Sequence, residues 1–235
     1  RQVLDRGFIF GDGIYELIPV YSRAPFRMEG HLARMERSLH EVGITNPYRR
    51  EEWARLIHTL IGMHDVDDQA VYWQVTRGVA KRDHAFPKDI RPTVFMMSNP
   101  LVNPAPALVE HGAKAVTAQD VRWHRCDIKS ISLLGNCMAR QLSAEVGAVE
   151  TILFRGDLLT EASASNVLIV KNGVIITPPK NNLILPGITL DVVFDVVARG
   201  QLPLEVREVT AAEVRSADEL WVSSSSKEIL AITTL

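Results

Sequence analysis

The sequence predicts a mixed α/β fold, α+β in character, divided into two domains. Three observations carry that expectation: apolar stripes at helical spacing in the first half, glycine-bearing hairpin signals in the second, and a proline-rich break between them. The break reads NPLVNPAP at residues 99–106. Proline cannot donate to a strand ladder and biases the preceding residue toward extended backbone. It sets a small N-terminal domain over 1–98, a linker over 99–108 and a larger C-terminal domain over 109–235.

Taken in order, Leu32, Met35, Leu39 and Val42 recur at helical spacing, and so do Trp53, Leu56, Ile57, Leu60 and Ile61. Val71, Trp73 and Val75 alternate with Tyr72, Gln74 and Thr76, which predicts a strand; residues 93–97 are a second. After the break, 114–117 and 121–123 read as extended, and Leu134, Cys137, Met138 and Leu142 as a helix. Residues 151–154 and 158–160 flank Arg155-Gly156-Asp157, and 167–170 and 174–177 flank Lys171-Asn172-Gly173, two hairpins. Leu190, Val193, Phe194, Val197 and Ala198 form a helix stripe, with Gly200 expected at its C′ position. Thr210 with Glu213 three residues on is a capping box.

Composition narrows the function. The chain has 235 residues, 46% hydrophobic and 23% charged, with a net charge of −2. Such a balance gives a polyanion nothing to hold, so no nucleic-acid partner is expected. No run of 18 apolar residues suits a membrane span, and no basic-plus-apolar leader opens the chain. Cys126 and Cys137 lack metal-ligand spacing and read as free thiols, as expected of a cytoplasmic protein. Gly11-Asp12-Gly13 starts like a dinucleotide fingerprint, but Glu16 stands where its third glycine belongs. Lys129-Ser130 ends like a phosphate loop without the glycine-rich run that should precede it.

Four features can carry chemistry. Lys129 lies in CDIKSISLL, among Ile128, Ile131, Leu133 and Leu134. A lysine so flanked is either a partly desolvated nucleophile, able to form a Schiff base, or a stem packed on the core with its head in water. Glu161 opens EASASN, where a carboxylate either closes a turn or holds a proton on a heteroaromatic nitrogen. LPGITL, from Leu185 to Leu190, reads as a helix start. Gly187 gives it backbone freedom and Thr189 is expected to cap it, which suits a phosphate or serves as a plain cap. The hydroxyls of residues 223–226 follow an apolar strand and either add phosphate donors or form a polar turn.

These segments resemble one family. DRGFIFGDGIYE (5–16), HLARMERS (31–38), QVTRG (74–78), RDHAFP (82–87), VRWHRCDIKSISLLGN (121–136), TEASASNV (160–167), PGITLDVV (186–193) and DELWVSSSSKEI (218–229) are similar to motifs of the fold-type IV (class IV) pyridoxal-phosphate aminotransferases. They most resemble those of the bacterial D-amino acid branch, and they run through almost the whole chain in the family's order.

The resemblance implies pyridoxal 5′-phosphate as cofactor and ping-pong transamination between a D-amino acid such as D-alanine and a 2-oxo acid, 2-oxoglutarate or pyruvate. It implies that Lys129 is the Schiff-base lysine that shuttles the Cα proton, and that Glu161 faces the pyridine nitrogen. By the same likeness Arg34, Ile188, Thr189 and Ser225 hold the phosphate, and Leu185 belongs to the cofactor site. Tyr15, Arg82 and His84 match the clamp on the substrate α-carboxylate, the last two reaching in from the second subunit of a homodimer. A cation with two further donors suits that task.

Ala164 stands where that branch carries serine, and Leu17 where it carries a smaller valine. The relatives also extend further at both ends, so a trimmed chain is expected. The (R)-selective amine transaminases, aminodeoxychorismate-type lyases and branched-chain aminotransferases share the scaffold and stand as alternatives, as does a non-catalytic cofactor-binding module.

Overall fold

The structure is a computed structural model and describes residues 3–235. The chain forms two compact units. The first is Arg1–Val102 with Ile128–Leu133; the second is Asn103–Asp127 with Leu134–Leu235. The boundary at Val102 falls in the proline-rich break, and the lysine-bearing segment belongs to the first unit although it lies late in sequence.

In the first unit the elements run α1 (Arg6–Phe10), β1 (Gly13–Tyr21), β2 (Ala24–Pro25), α2 (Met28–Glu41), α3 (Arg50–Gly62), β3 (Gln69–Thr76) and β4 (Thr93–Pro100). The strands form one antiparallel sheet ordered β2-β1-β3-β4. The alternation in β3 does what it predicts: Val71, Trp73 and Val75 are fully buried. They pack with Ile14 and Ile18 of β1, with Leu32, Met35 and Leu39 of α2, with Trp53, Ile57 and Ile61 of α3, and with Ile128. Trp73 Nε1 donates to Met35 Sδ at 3.1 Å, and Trp53 Nε1 to Asn46 Oδ1 at 2.9 Å, so neither indole is buried unsatisfied.

In the second unit the order is α4 (Pro106–His111), β5 (Ala113–Gln119), α5 (Leu134–Glu145), β6 (Glu150–Arg155), β7 (Leu158–Ala162), β8 (Asn166–Lys171), β9 (Val174–Thr177), α6 (Ile188–Arg199), β10 (Leu204–Val206), α7 (Ala211–Arg215), β11 (Glu219–Ser224) and β12 (Glu228–Thr234). The strands make one mixed sheet ordered β10-β9-β8-β11-β12-β5-β6-β7. The unbroken apolar run of β8 is explained by burial on both faces. Val167 and Ile169 join one cluster, while Leu168 and Val170 pack under Leu190, Val193 and Val197 of α6.

The hairpin signals close as two-residue turns. Arg155 pairs with Leu158 around Gly156-Asp157, and Lys171 pairs with Val174 around Asn172-Gly173. Asn172 and Gly173 both have positive φ, 50° and 77°, as a type I′ turn requires.

Several expectations need correction. Residues 121–123 are not a strand; they sit in an irregular segment shaped by Arg122. Gly200 is not a left-handed C′ residue: its φ is −78°, and Gln201 takes the positive value of 51°. Irregular backbone within 99–108 is confined to residues 101–105, because β4 runs through Pro100 and α4 begins at Pro106, proline being suited to a first helical turn. Thr189 does not cap α6; Gly187 is the N-cap, without a side-chain bond. No helix among the described residues is long and apolar enough to cross a membrane.

Candidate active site

In the first unit β1 positions Lys129. Beyond the short β2, the edge of β1 at its start is bonded by the lysine segment. Tyr15 N donates to Lys129 O at 2.9 Å, Ile131 N donates to Gly13 O at 3.1 Å, and Ile14 bridges Ser130. Ile128 is anchored in the core and Lys129 is half-buried, with its Nζ 4.3 Å from the centroid of the Tyr15 ring. The glycines set aside as a failed fingerprint have a steric task instead. A Cβ on Gly11, whose φ is +66°, would lie 2.5 Å from Ser132 Oγ, and that hydroxyl donates to Gly11 O at 2.9 Å.

Arg34 is buried rather than presented on an exposed helix face. Glu16 of β1 accepts from its Nε at 2.7 Å and its Nη2 at 2.8 Å, and Glu16 Oε2 lies 2.8 Å from His31 Nδ1. Glu16 is fully buried. Burial alone would raise its pKa, but Arg34 and then His31 outweigh it and hold the carboxyl at about 2. An ionised carboxylate only accepts, so His31 Nδ1 is the donor. Burial lowers the His31 pKa against the pull of Glu16, leaving a neutral ring.

Arg82 and His84 are exposed on the loop between β3 and β4. Both touch Phe10 of α1. The Arg82 guanidinium carbon lies 5.4 Å from its ring centroid, and the His84 ring 5.5 Å.

In the second unit Glu161 sits within β7 rather than in a turn, 5% exposed. Its Oε1 accepts from Arg122 Nη1 at 2.6 Å. Its Oε2 accepts from Leu185 N at 3.0 Å and Asn166 Nδ2 at 3.3 Å. Arg122 is fixed in turn by Asp120, which accepts from its Nε and Nη2 at 2.9 Å each. Burial pushes the Glu161 carboxyl up to about 7, against the lowering pull of Arg122. Such a buried carboxylate is poised to accept from a further N–H that carries positive charge.

Leu185 is bonded to both sides of this group, because its carbonyl accepts from Asn166 Nδ2 at 2.8 Å. Ile188 and Thr189 follow in the first turn of α6, whose opening N–H groups have no intrahelical acceptor. Ser225 is half-buried just beyond β11. Two residues earlier, Ser223 pairs with Asn166 and has a buried hydroxyl without a protein partner.

The loop after Glu161 is nailed from beneath. Glu150, fully buried, accepts from the Ser163 hydroxyl, from Ser165 Oγ at 2.6 Å and from Lys227 Nζ at 3.0 Å. Among the described residues no group of three or more His, Cys, Asp or Glu side chains is gathered to hold a metal ion.

Sequence reading missed Glu16, His31, Asp120, Arg122, Glu150, Asn166 and Lys227. Glu16 had a signal: it shares strand parity with the apolar Ile14 and Ile18. His31 and Arg34 stand three apart, on one helix face. Asp120 is a local partner of Arg122, but nothing local points to Glu161, 39 positions away.

Known proteins resemble this chain over almost its whole length. The chain is 40% identical to a D-alanine aminotransferase of Staphylococcus epidermidis over 232 residues, 98% of this chain and 82% of that protein. It is likewise 40% identical to one of Listeria monocytogenes over 235 residues, 99% and 81%. Among solved structures, a fold IV transaminase of Curtobacterium pusillum superposes with a TM-score of 0.87 at 26% identity, covering 100% of this chain and 82% of that one. The branched-chain amino acid aminotransferase of Escherichia coli superposes with a TM-score of 0.91, covering 99% and 80%; at 19% identity it speaks for the fold alone. The model of the amino-transferase class IV family matches residues 13–235, from the start of β1 to the last residue, and the chain belongs to that family.

Proposed function

We propose that this protein moves an amino group between a D-amino acid, D-alanine first among them, and a 2-oxo acid, using pyridoxal 5′-phosphate. The observation that carries the reading is the Lys129 amine, bonded into the β1 edge through its backbone and held over the Tyr15 ring. The similarity to D-alanine aminotransferases over 98% of the chain supports the choice of substrate. The two cysteines, Cys126 and Cys137, are free, which fits a reducing, cytoplasmic setting.

The donor set fits the cofactor. A buried carboxylate whose proton affinity is raised suits the ring N–H, and helix N–H groups with nearby hydroxyls suit the phosphate. When bound, the cofactor supplies an electrophilic carbon and an electron-withdrawing ring. Lys129 would hold the cofactor covalently and would carry the proton of the substrate Cα. Glu161, oriented by Arg122 and Asn166, would accept from the ring N–H and keep that nitrogen protonated. Ile188 and Thr189 offer backbone and hydroxyl donors to the phosphate, Ser225 a further hydroxyl, and Leu185 sets the position of Glu161. Arg34, clasped by Glu16, is the cation assigned to the phosphate. Tyr15 holds the substrate α-carboxylate together with Arg82 and His84 supplied by a second copy of the chain.

A spectral half-reaction tests this. D-alanine bleaches the cofactor band of the holoenzyme, L-alanine does so far more slowly, and Lys129→Ala abolishes the change. Preference for L-leucine or L-valine overturns the stereochemical reading, and pyruvate release without an amino acceptor overturns transamination.

A further inference from the structure

We propose that α1 is a positioning device for the carboxylate-binding loop, with Arg6 fixing its backbone and Phe10 aiming the side chains of Arg82 and His84. The inference rests on the assignment of Arg82 and His84 to the substrate carboxylate made above.

Arg6 is 2% exposed although it lies on a five-residue surface helix. Its Nε donates to Asp12 Oδ2 at 2.7 Å. The same oxygen also accepts from Arg77 Nε at 2.8 Å, so one carboxylate faces two buried cations. Two guanidiniums cannot be satisfied by one carboxylate, and the remaining donors need acceptors that stay in place. Arg77 finds its own in Val42 O and Gly43 O. Arg6 finds them in three consecutive carbonyls of the loop. Its Nη1 donates to Asp83 O at 2.5 Å and Ala85 O at 3.4 Å, and its Nη2 to His84 O at 3.4 Å. Asp83 Oδ1 then closes the turn by accepting from Ala85 N at 3.1 Å.

With carbonyls drawn inward to Arg6, residues 82 and 84 project outward, and both are exposed. They do not splay. The Phe10 ring lies against each, at 5.4 and 5.5 Å, and the Arg6 guanidinium carbon is 4.8 Å from the same ring. Phe86, the next aromatic along, is covered by Arg77 at 3.5 Å. The loop is therefore ordered within its own subunit before any partner or substrate is met, which lowers the entropy lost on binding.

The test uses holoenzyme carrying Arg6→Lys, Phe10→Leu, Arg82→Ala, or Arg82→Ala with His84→Ala, the last with and without Arg6→Lys. Lysine keeps the charge beside Asp12 but lacks the fork that spans three carbonyls. Arg6→Lys is expected to raise the KM for D-alanine about tenfold with kcat changed by no more than about twofold, since ground-state positioning is what it alters. Phe10→Leu should move KM in the same direction. Amide hydrogen exchange at residues 83–86 of the substrate-free holoenzyme should quicken in Arg6→Lys, with melting temperature and cofactor absorbance retained.

On the Arg82→Ala, His84→Ala background Arg6→Lys should add nothing, because its effect passes through those side chains. If Arg82→Ala raises KM while Arg6→Lys and Phe10→Leu leave both KM and exchange unchanged, the positioning role is overturned and the carboxylate assignment survives. If Arg82→Ala itself leaves KM unchanged, the assignment falls and the inference with it. Should Arg6→Lys fail to fold, Phe10→Leu, which removes no hydrogen bond of Arg6 or Asp12, decides the question by the same readouts.

Discussion

Tyr15 and Lys129 are joined twice: backbone N–H to carbonyl across 2.9 Å, and ring face to amine across 4.3 Å. The first contact fixes the register of the lysine segment on β1, and the second gives the side chain a surface to lie on. The ring also stacks on Tyr72 at 5.6 Å, whose hydroxyl pKa burial, and then Tyr15, push up to about 12. The amine, the ring and its backing therefore form one short column.

From that column, Tyr15→Phe and Tyr15→Leu should separate two roles. Loss of the hydroxyl alone should raise the KM for D-alanine. Loss of the ring face, worth about 0.5–2 kcal/mol to a cation, should also slow the single-turnover rate by about tenfold. Equal single-turnover rates for the two variants would remove the ring from the account.

Glu16→Gln should be among the most damaging conservative changes in the first unit. It leaves Arg34 buried without its counter-charge, a loss of about 3–5 kcal/mol. Denaturant unfolding of the apoenzyme measures it. The carboxyl is held at about 2 against an ordinary value of 4.5, so its contribution is present in full above about pH 5. It is lost as pH falls through the folded value, and the wild-type advantage over the variant should shrink below pH 4.

Glu161 has the opposite sign. Its folded pKa of about 7 exceeds the ordinary 4.5, so the folded apoenzyme binds a proton that the unfolded chain has released. Stability attributable to this group is therefore lost as pH rises from 4.5 through 7, by up to about 3 kcal/mol. Glu161→Gln should erase that slope, so that its stability relative to wild type is higher at pH 8 than at pH 5. A carboxylate resonance titrating near 7 in wild type and missing in the variant would assign it. An unchanged slope in Glu161→Gln would transfer the effect to another group.

Gly187→Ala tests the coupling between α6 and Glu161. An added Cβ would lie 2.1 Å from Asn166 Oδ1, and Asn166 cannot swing aside without dropping its bonds to Leu185 O and Glu161. Weaker cofactor retention by about tenfold or more is expected, read by dialysis against phosphate buffer, with the first unit's melting unaffected.

Much of this architecture was legible because its signals are local. The helix stripes of α2 and α3, the alternation in β3 and the Asn172-Gly173 turn each depend on neighbours within a few positions. β1 was not legible: Pro19 interrupts its pattern and Glu16 occupies a place on the buried face. The parallel pairings of β5 with β6 and with β12 join distant segments and leave no mark on either. The same division holds for the site. Lys129, Glu161 and the α6 start could be singled out from short segments, each with an ordinary structural reading beside it. Glu16, Arg122 and Glu150, which hold Arg34, Glu161 and the 163–165 loop, find these partners in other elements. Arg34 shows the limit most plainly, since its sequence position says nothing of the carboxylate clasping it.

Ile128–Leu133 belongs to the first unit, and Ile128 fills part of its apolar interior, yet residues 103–127 are made before it. A growing chain thus cannot finish that unit until Leu133 has emerged, when β5 and the Asp120–Arg122 stretch are already outside the ribosome. The nucleophile arrives with the last hydrophobic plug. A fragment halted before Ile128 lacks both the plug and the nucleophile.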